Sequence, residues 1–203
     1  MIAVIDLKTI RYESSDLADL QTFCKQLIGQ PFLFFRVAYG DELRLHLGSL
    51  RDDSNPKLRG RAKGSYVIGA RASSWVVFSA PKLTLLASDN VEVRAPRGLT
   101  KQVDVKQIEG GDYVTPGSVV VDVTTDRSPH GFALQLVFAD GSTVFIGPNP
   151  KAGEFAPDGA DIAEEVADMD ISDWEILTPH SRVLKAGPGE RWCYQDSNKR
   201  KSE

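Results

Sequence analysis

At 203 residues with 41% apolar side chains, the chain is long enough to bury a substantial core, and its net charge is −4. The longest apolar runs, such as Trp75 to Phe78, fall far short of the ~20 residues a membrane-spanning helix needs. The acidic balance argues against non-specific nucleic-acid binding, which depends on many Lys and Arg neutralising phosphates.

Met1 to Lys8 lacks the basic, apolar and small-residue succession of a cleaved secretion signal, so a cytoplasmic protein is expected. Ile2, Val4, Ile5, Leu7 and Ile10 make Met1 to Arg11 compatible with a strand. A helix follows over Ser15 to Ile28. Ser14 or Ser15 is its expected cap, Asp16 suits the positive end of its dipole, and Leu17, Leu20, Phe23, Cys24 and Leu27 mark one face before Gly29 stops it. With water on its polar side, this helix is expected to cover one face of a sheet.

From Pro31 to about Val123 the chain alternates short β-branched or aromatic runs with turn residues. Strands are expected at Phe32 to Tyr39, Glu42 to Leu47, Ser65 to Arg71, Trp75 to Phe78, Leu83 to Leu86 and Val91 to Val93. Residues 99–117, with Gly110-Gly111 and Pro116-Gly117, read as a connection. Val119 to Val123 resumes strand, and Ala139-Asp140-Gly141-Ser142 marks a tight hairpin turn, because Asp-Gly readily supplies positive φ. Asp158 then caps an expected helix over Ala160 to Asp168, and strands return at Trp174 to Leu177, Val183 to Lys185 and Arg191 to Tyr194. Trp75, Trp174 and Trp192 are expected to be buried.

A faint internal echo organises these elements. The hairpin from Phe35 to Gly48 reappears in outline from Leu134 to Gly147, and the stretch Tyr66 to Val76 reappears from Trp174 to Leu184 after a short insertion. The expected fold class is therefore α+β, predominantly antiparallel β, with two related β-rich halves and a covering N-terminal helix. Residues 1–98 form the first half, 99–117 the connection, 118–197 the second half and 198–203 a charged tail.

The segments that follow the two hairpins carry opposite charge. Arg51, Lys57, Arg59, Arg61 and Lys63 outnumber Asp52 and Asp53 in the first. In the second, Glu154, Asp158, Asp161, Glu164, Glu165, Asp168, Asp170 and Asp173 face only Lys151. One basic and one acidic lobe suit a protein partner or head-to-tail self-association. Arg71, Ser73 and His180, on turns after the strands, are the residues that a small-ligand pocket would use.

Chemistry finds little support. The two cysteines, Cys24 and Cys193, are too few for a tetrahedral zinc site and are expected to be small packing residues. Asp168 to Asp173 has oxygen side chains at alternate positions, yet a calcium loop needs Gly at its sixth position and Glu at its twelfth, where this chain has Asp173 and Pro179. His46 falls on the polar side of an alternating strand, where exposure is expected, and His130 and His180 fall on turns. No nucleophile elbow, phosphate loop, dinucleotide fingerprint or zinc-protease helix occurs. The expectation is a non-catalytic, protein-binding module of the inhibitor or immunity type, with no metal, cofactor, nucleic acid or membrane. The competing expectation is an enzyme or ligand-binding protein whose site, built from residues such as His180, Asp140 and Arg71, lies between the halves.

Overall fold

The β-branched and aromatic runs of the sequence become strands, and the turn residues between them become the strand connections. The structure is a computed structural model that describes residues 9–37, 42–52, 62–70, 73–88, 93–94, 100–101, 114–128, 130–148, 161–162, 173–179, 182–187 and 189–197. In chain order come β1 (Thr9–Ser14), α1 (Leu17–Cys24), β2 (Phe32–Val37), β3 (Leu43–Asp52), β4 (Ala62–Gly69), β5 (Ser74–Ser79), β6 (Thr84–Ala87) and β7 (Val93–Arg94). After them come β8 (Thr100–Lys101), β9 (Val120–Ser128), β10 (Gly131–Phe138), β11 (Thr143–Gly147), β12 (Asp161–Ile162), β13 (Trp174–Leu177), β14 (Arg182–Ala186) and β15 (Trp192–Ser197).

Two sheets dominate, and the pairing within them is antiparallel except between β6 and β8. One runs β1-β15-β14-β13-β4-β3-β2, the other β8-β6-β5-β11-β10-β9. The chain interleaves them. The meander β2-β3-β4 is extended in its sheet by β13 and β14, while the meander β9-β10-β11 is extended by β5 and β6. Both expected hairpins are antiparallel ladders, Phe35 pairing with Leu45 in one and Leu134 with Ile146 in the other.

Inner-face residues of both sheets enter one buried cluster. Phe32, Phe35, Leu45 and Ile68 come from the first sheet and Trp75, Leu86, Leu134 and Ile146 from the second. Burial of each such side chain contributes about 1.5–3 kcal/mol. All three tryptophans are buried, as the sequence implies. Trp174 donates its indole N–H to the Phe132 carbonyl at 2.8 Å and Trp192 its own to the Asp16 carbonyl at 2.9 Å.

Helix α1 is capped one residue later than expected. Asp16, not Ser14 or Ser15, is the N-cap, its carboxylate accepting from the Ala18 N–H at 2.8 Å. Ser14 instead accepts from the Asp16 N–H, also at 2.8 Å. The charged carboxylate suits the positive end of the helix dipole better than a serine hydroxyl. A 3₁₀ turn, Lys25–Leu27, finishes the element, and Leu20, Cys24 and Leu27 are fully buried. Gly29 N–H then donates to the Val120 carbonyl and Phe32 N–H to the Ser118 carbonyl, both at 2.8 Å, so the start of β2 is tied to the start of β9 across the gap between the sheets.

Two expectations need correction. Asp161–Ile162, expected inside a helix over Ala160 to Asp168, pairs as a strand with β7; the rest of that segment lies outside the described residues. His46 lies on the outer face as its alternation requires, yet it is buried, because the Phe34 ring stacks on it at 4.3 Å between centroids. Its Nδ1 accepts from the Gly64 N–H at 3.1 Å.

Candidate functional site

The basic segment after the first hairpin begins where β3 breaks its register. Leu47 pairs with Tyr66 and Leu50 with Gly64, so Gly48 and Ser49 together oppose the single residue Ser65. This is a β-bulge with glycine in its first position, Gly48 having φ +86°. A β-carbon at Gly48 would lie 2.1 Å from Ser65 Oγ, and one at Gly64 would lie 2.6 Å from the Leu47 carbonyl oxygen. Glycine at these two positions lets the strands close on each other while the outer surface dips.

The dip is a groove of about 450 Å³ lined by Gln30, Pro31, Gly48, Ser49, Arg51, Ser65, Tyr66 and Pro179. Its floor is fixed by the bulge. Gly48 N–H donates to the Pro31 carbonyl at 2.8 Å, and Ser65 Oγ accepts from the Ser49 N–H at 3.2 Å. Beyond the bulge Arg51 and Lys63 are direct cross-strand partners, so both side chains leave the same face of the sheet. Asp52, next along the strand, points to the opposite face by strand alternation. The groove therefore combines a cationic rim with hydroxyl and amide groups and two proline walls.

Of the other residues singled out in the sequence, Ser73 is buried and its hydroxyl accepts from the Asp173 N–H at 2.8 Å. That bond stitches the connection before β5 to the start of β13. Lys57, Arg59, Arg61, Arg71, Glu164, Glu165, Asp168 and His180 lie outside the described residues. Asp140, a member of the competing enzyme site, has both carboxylate oxygens committed to the turn: Oδ1 accepts from the Ser142 N–H at 2.9 Å and Oδ2 from the Thr115 N–H at 2.8 Å. Burial pushes its pKa up, but the bonds from Thr115 and Ser142 outweigh burial and hold the carboxyl below its ordinary value. Such a group is a weak base.

His130 is exposed on the turn between β9 and β10, its backbone N–H donating to Ser128 Oγ. Among the described residues no three His, Cys, Asp or Glu side chains converge as metal ligands, and no helix is long and apolar enough to cross a membrane. The groove residues Gln30, Pro31, Ser49, Ser65, Tyr66 and Pro179 were not singled out by sequence reasoning. The available signal was Gly48-Ser49 interrupting an otherwise alternating strand, which is how a bulge announces itself. The chain matches no protein-family model, no curated protein and no solved structure.

Proposed function

We propose that this chain is a non-catalytic protein-binding module, of the inhibitor or immunity type, that meets its partner through the basic strip Arg51, Lys57, Arg59, Arg61 and Lys63. One observation carries the reading: Arg51 and Lys63 are cross-strand partners beside an open groove. Two cationic side chains leaving one face of the sheet beside that groove suit an acidic surface on a partner. In this reading Glu164, Glu165 and Asp168 belong to the complementary acidic surface, which serves either the partner or a second copy of the chain. The protein works in the cytoplasm, and nucleic acid is not its target.

The reading also treats the two halves, 1–98 and 118–197, as related, with α1 covering one side. Support comes from the strand order: β2-β3-β4-β13-β14 in one sheet matches β9-β10-β11-β5-β6 in the other, strand for strand. This correspondence pairs β2 and β3 with β9 and β10, one strand earlier than the hairpin echo in the sequence.

The test uses poly-L-glutamate as an acidic probe and sedimentation velocity for self-association. The unmodified protein is expected to bind the probe or itself, more weakly as salt shortens the Debye length to ~8 Å near 0.15 M. The double reversal Arg51→Glu with Lys63→Glu is expected to lose that interaction while staying folded. A folded double reversal that binds and sediments like the parent at low and high salt overturns the proposal.

A further inference from the structure

Resting on that reading, we propose that the protein partner presents an extended acidic segment, laid along the outer face of β2 and β3 so that two of its carboxylates engage Arg36 and Arg51 at once. Cross-strand pairing sets Arg36 beside Arg44 and Phe34 beside His46 on that face. His46 in turn is opposite Val67, and alternation along β4 carries the same face through Ser65 to Lys63, the register partner of Arg51. Both guanidinium groups therefore leave the sheet on one side, and both residues are exposed. Their neighbour Arg44 is already occupied: Glu42 accepts from its Nε at 3.2 Å and from its Nη2 at 3.1 Å. Arg36 and Arg51 have no hydrogen bond or ion pair with any described residue.

Arg36 is held in place without a counter-charge. Its guanidinium carbon lies 4.8 Å from the centre of the Phe34 ring, and that ring is stacked on His46 at 4.3 Å between centroids. A cation resting on an aromatic face loses less freedom when a carboxylate arrives. Charge fixes the sign of the occupant, and spacing fixes its shape. From the pair Phe34 and His46, over which the Arg36 guanidinium sits, to Arg51 is five residues along β3, one of them absorbed by the bulge at Gly48 and Ser49. The remaining steps span roughly 13 Å at ~3.3 Å per residue. An extended chain covers that distance with carboxylates at i and i+4, which its alternation puts on one face, whereas a helix brings the same pair within roughly 6 Å. The ground between the two cations accommodates a peptide backbone: Gly48 adds no side chain there, and the open groove has Pro31 and Pro179 among its walls.

The experiment follows amide chemical shifts at low salt as the isotope-labelled protein is titrated with two unstructured peptides of one composition. Each carries two glutamates in a background of glycine, serine and threonine, set at i and i+4 in one peptide and adjacent in the other. The spaced peptide is expected to bind about threefold more tightly, the worth of one further exposed ion pair, and to shift the amides of Arg36 and Arg51 together. Arg36→Gln and Arg51→Gln are each expected to erase that preference. Equal binding of the two peptides by the parent, or a preference that survives Arg36→Gln, overturns the two-point docking; binding that depends on Arg51 alone leaves the basic strip beside the groove standing. No response to either peptide also overturns the docking, and if the double reversal of Arg51 and Lys63 leaves poly-L-glutamate binding unchanged as well, the binding reading falls with it. A parent that sediments as a dimer and is dissociated by the spaced peptide overturns the separate partner and assigns the acidic segment to a second copy of the chain.

Discussion

Gln21 stands to Thr125 as a neighbouring strand would. From α1 its side-chain oxygen accepts from the Thr125 N–H at 2.6 Å, and its amide nitrogen donates to the Val123 carbonyl. Both belong to the outer edge of β9, the last strand of its sheet, where Asp122 and Asp126 also accept from the Val123 and Arg127 N–H groups. An open strand edge invites pairing with other chains, and the Gln21 amide helps to blunt this one.

Gln21→Ala leaves the Thr125 N–H and Val123 carbonyl unpaired in a half-buried setting and is expected to cost about 1–3 kcal/mol in denaturant unfolding. Gln21→Glu sets a carboxylate against the Val123 carbonyl. It is expected to be worse than alanine at pH 7 and to recover as the carboxyl protonates in acid. Unchanged midpoints for both variants rule out the role.

Asp140 makes stability depend on acid. Its native pKa lies below the ordinary 3.8, so its contribution is full above about pH 4 and is lost as pH falls through the lower native value. Asp140→Asn is expected to lose roughly 0.5–1 kcal/mol at pH 7, allowing for solvent screening of a largely exposed group. The gap between variant and parent narrows below pH 3, as chemical denaturation across pH would record.

Burial pushes the Cys24 thiol up to about 12 from 9.0. The native state keeps that proton where the unfolded chain gives it up, so this contribution to stability is full below pH 9 and declines as pH rises toward 12. In a disulfide-reagent assay at pH 8 the half-buried Cys193 is expected to react with the folded protein, and Cys24 only when denaturant unfolds it. Equal reactivity of both in the native state contradicts this.

Ser79 Oγ is buried without a hydrogen-bond partner among the described residues. Ser79→Ala removes a desolvated hydroxyl that nothing repays. Thermal unfolding is expected to show a variant as stable as the parent, or more stable by up to about 1 kcal/mol; a loss of more than that contradicts the geometry.

Strands were legible in the sequence where alternation was strong. Val37, Leu45 and Leu47 announce the first hairpin, and Asp140-Gly141 announces the turn of the second. The cap of α1 was less so, since three consecutive residues, Ser14, Ser15 and Asp16, all carry acceptor side chains and only the backbone path selects among them. Burial of His46 was hidden because alternation assigns a face and cannot reveal that Phe34 stacks across the ladder, with the Arg36 guanidinium 4.8 Å from the centre of the Phe34 ring. Of the candidate site, Arg51 and Lys63 were visible as charges but not as partners. Their pairing depends on the extra residue at Gly48-Ser49, which shifts the register of everything beyond it.

The exchange of strands between the sheets bears on how the protein is made. As the chain leaves the ribosome, β4 lacks its neighbour until β13 emerges more than a hundred residues later, and β5 waits for β11. Neither nascent sheet closes during most of synthesis, and contacts of such long sequence separation slow folding. The unmatched flanks of β4 and β5 are then the strand edges that the newborn polypeptide exposes longest, and the places where mispairing with another chain would begin.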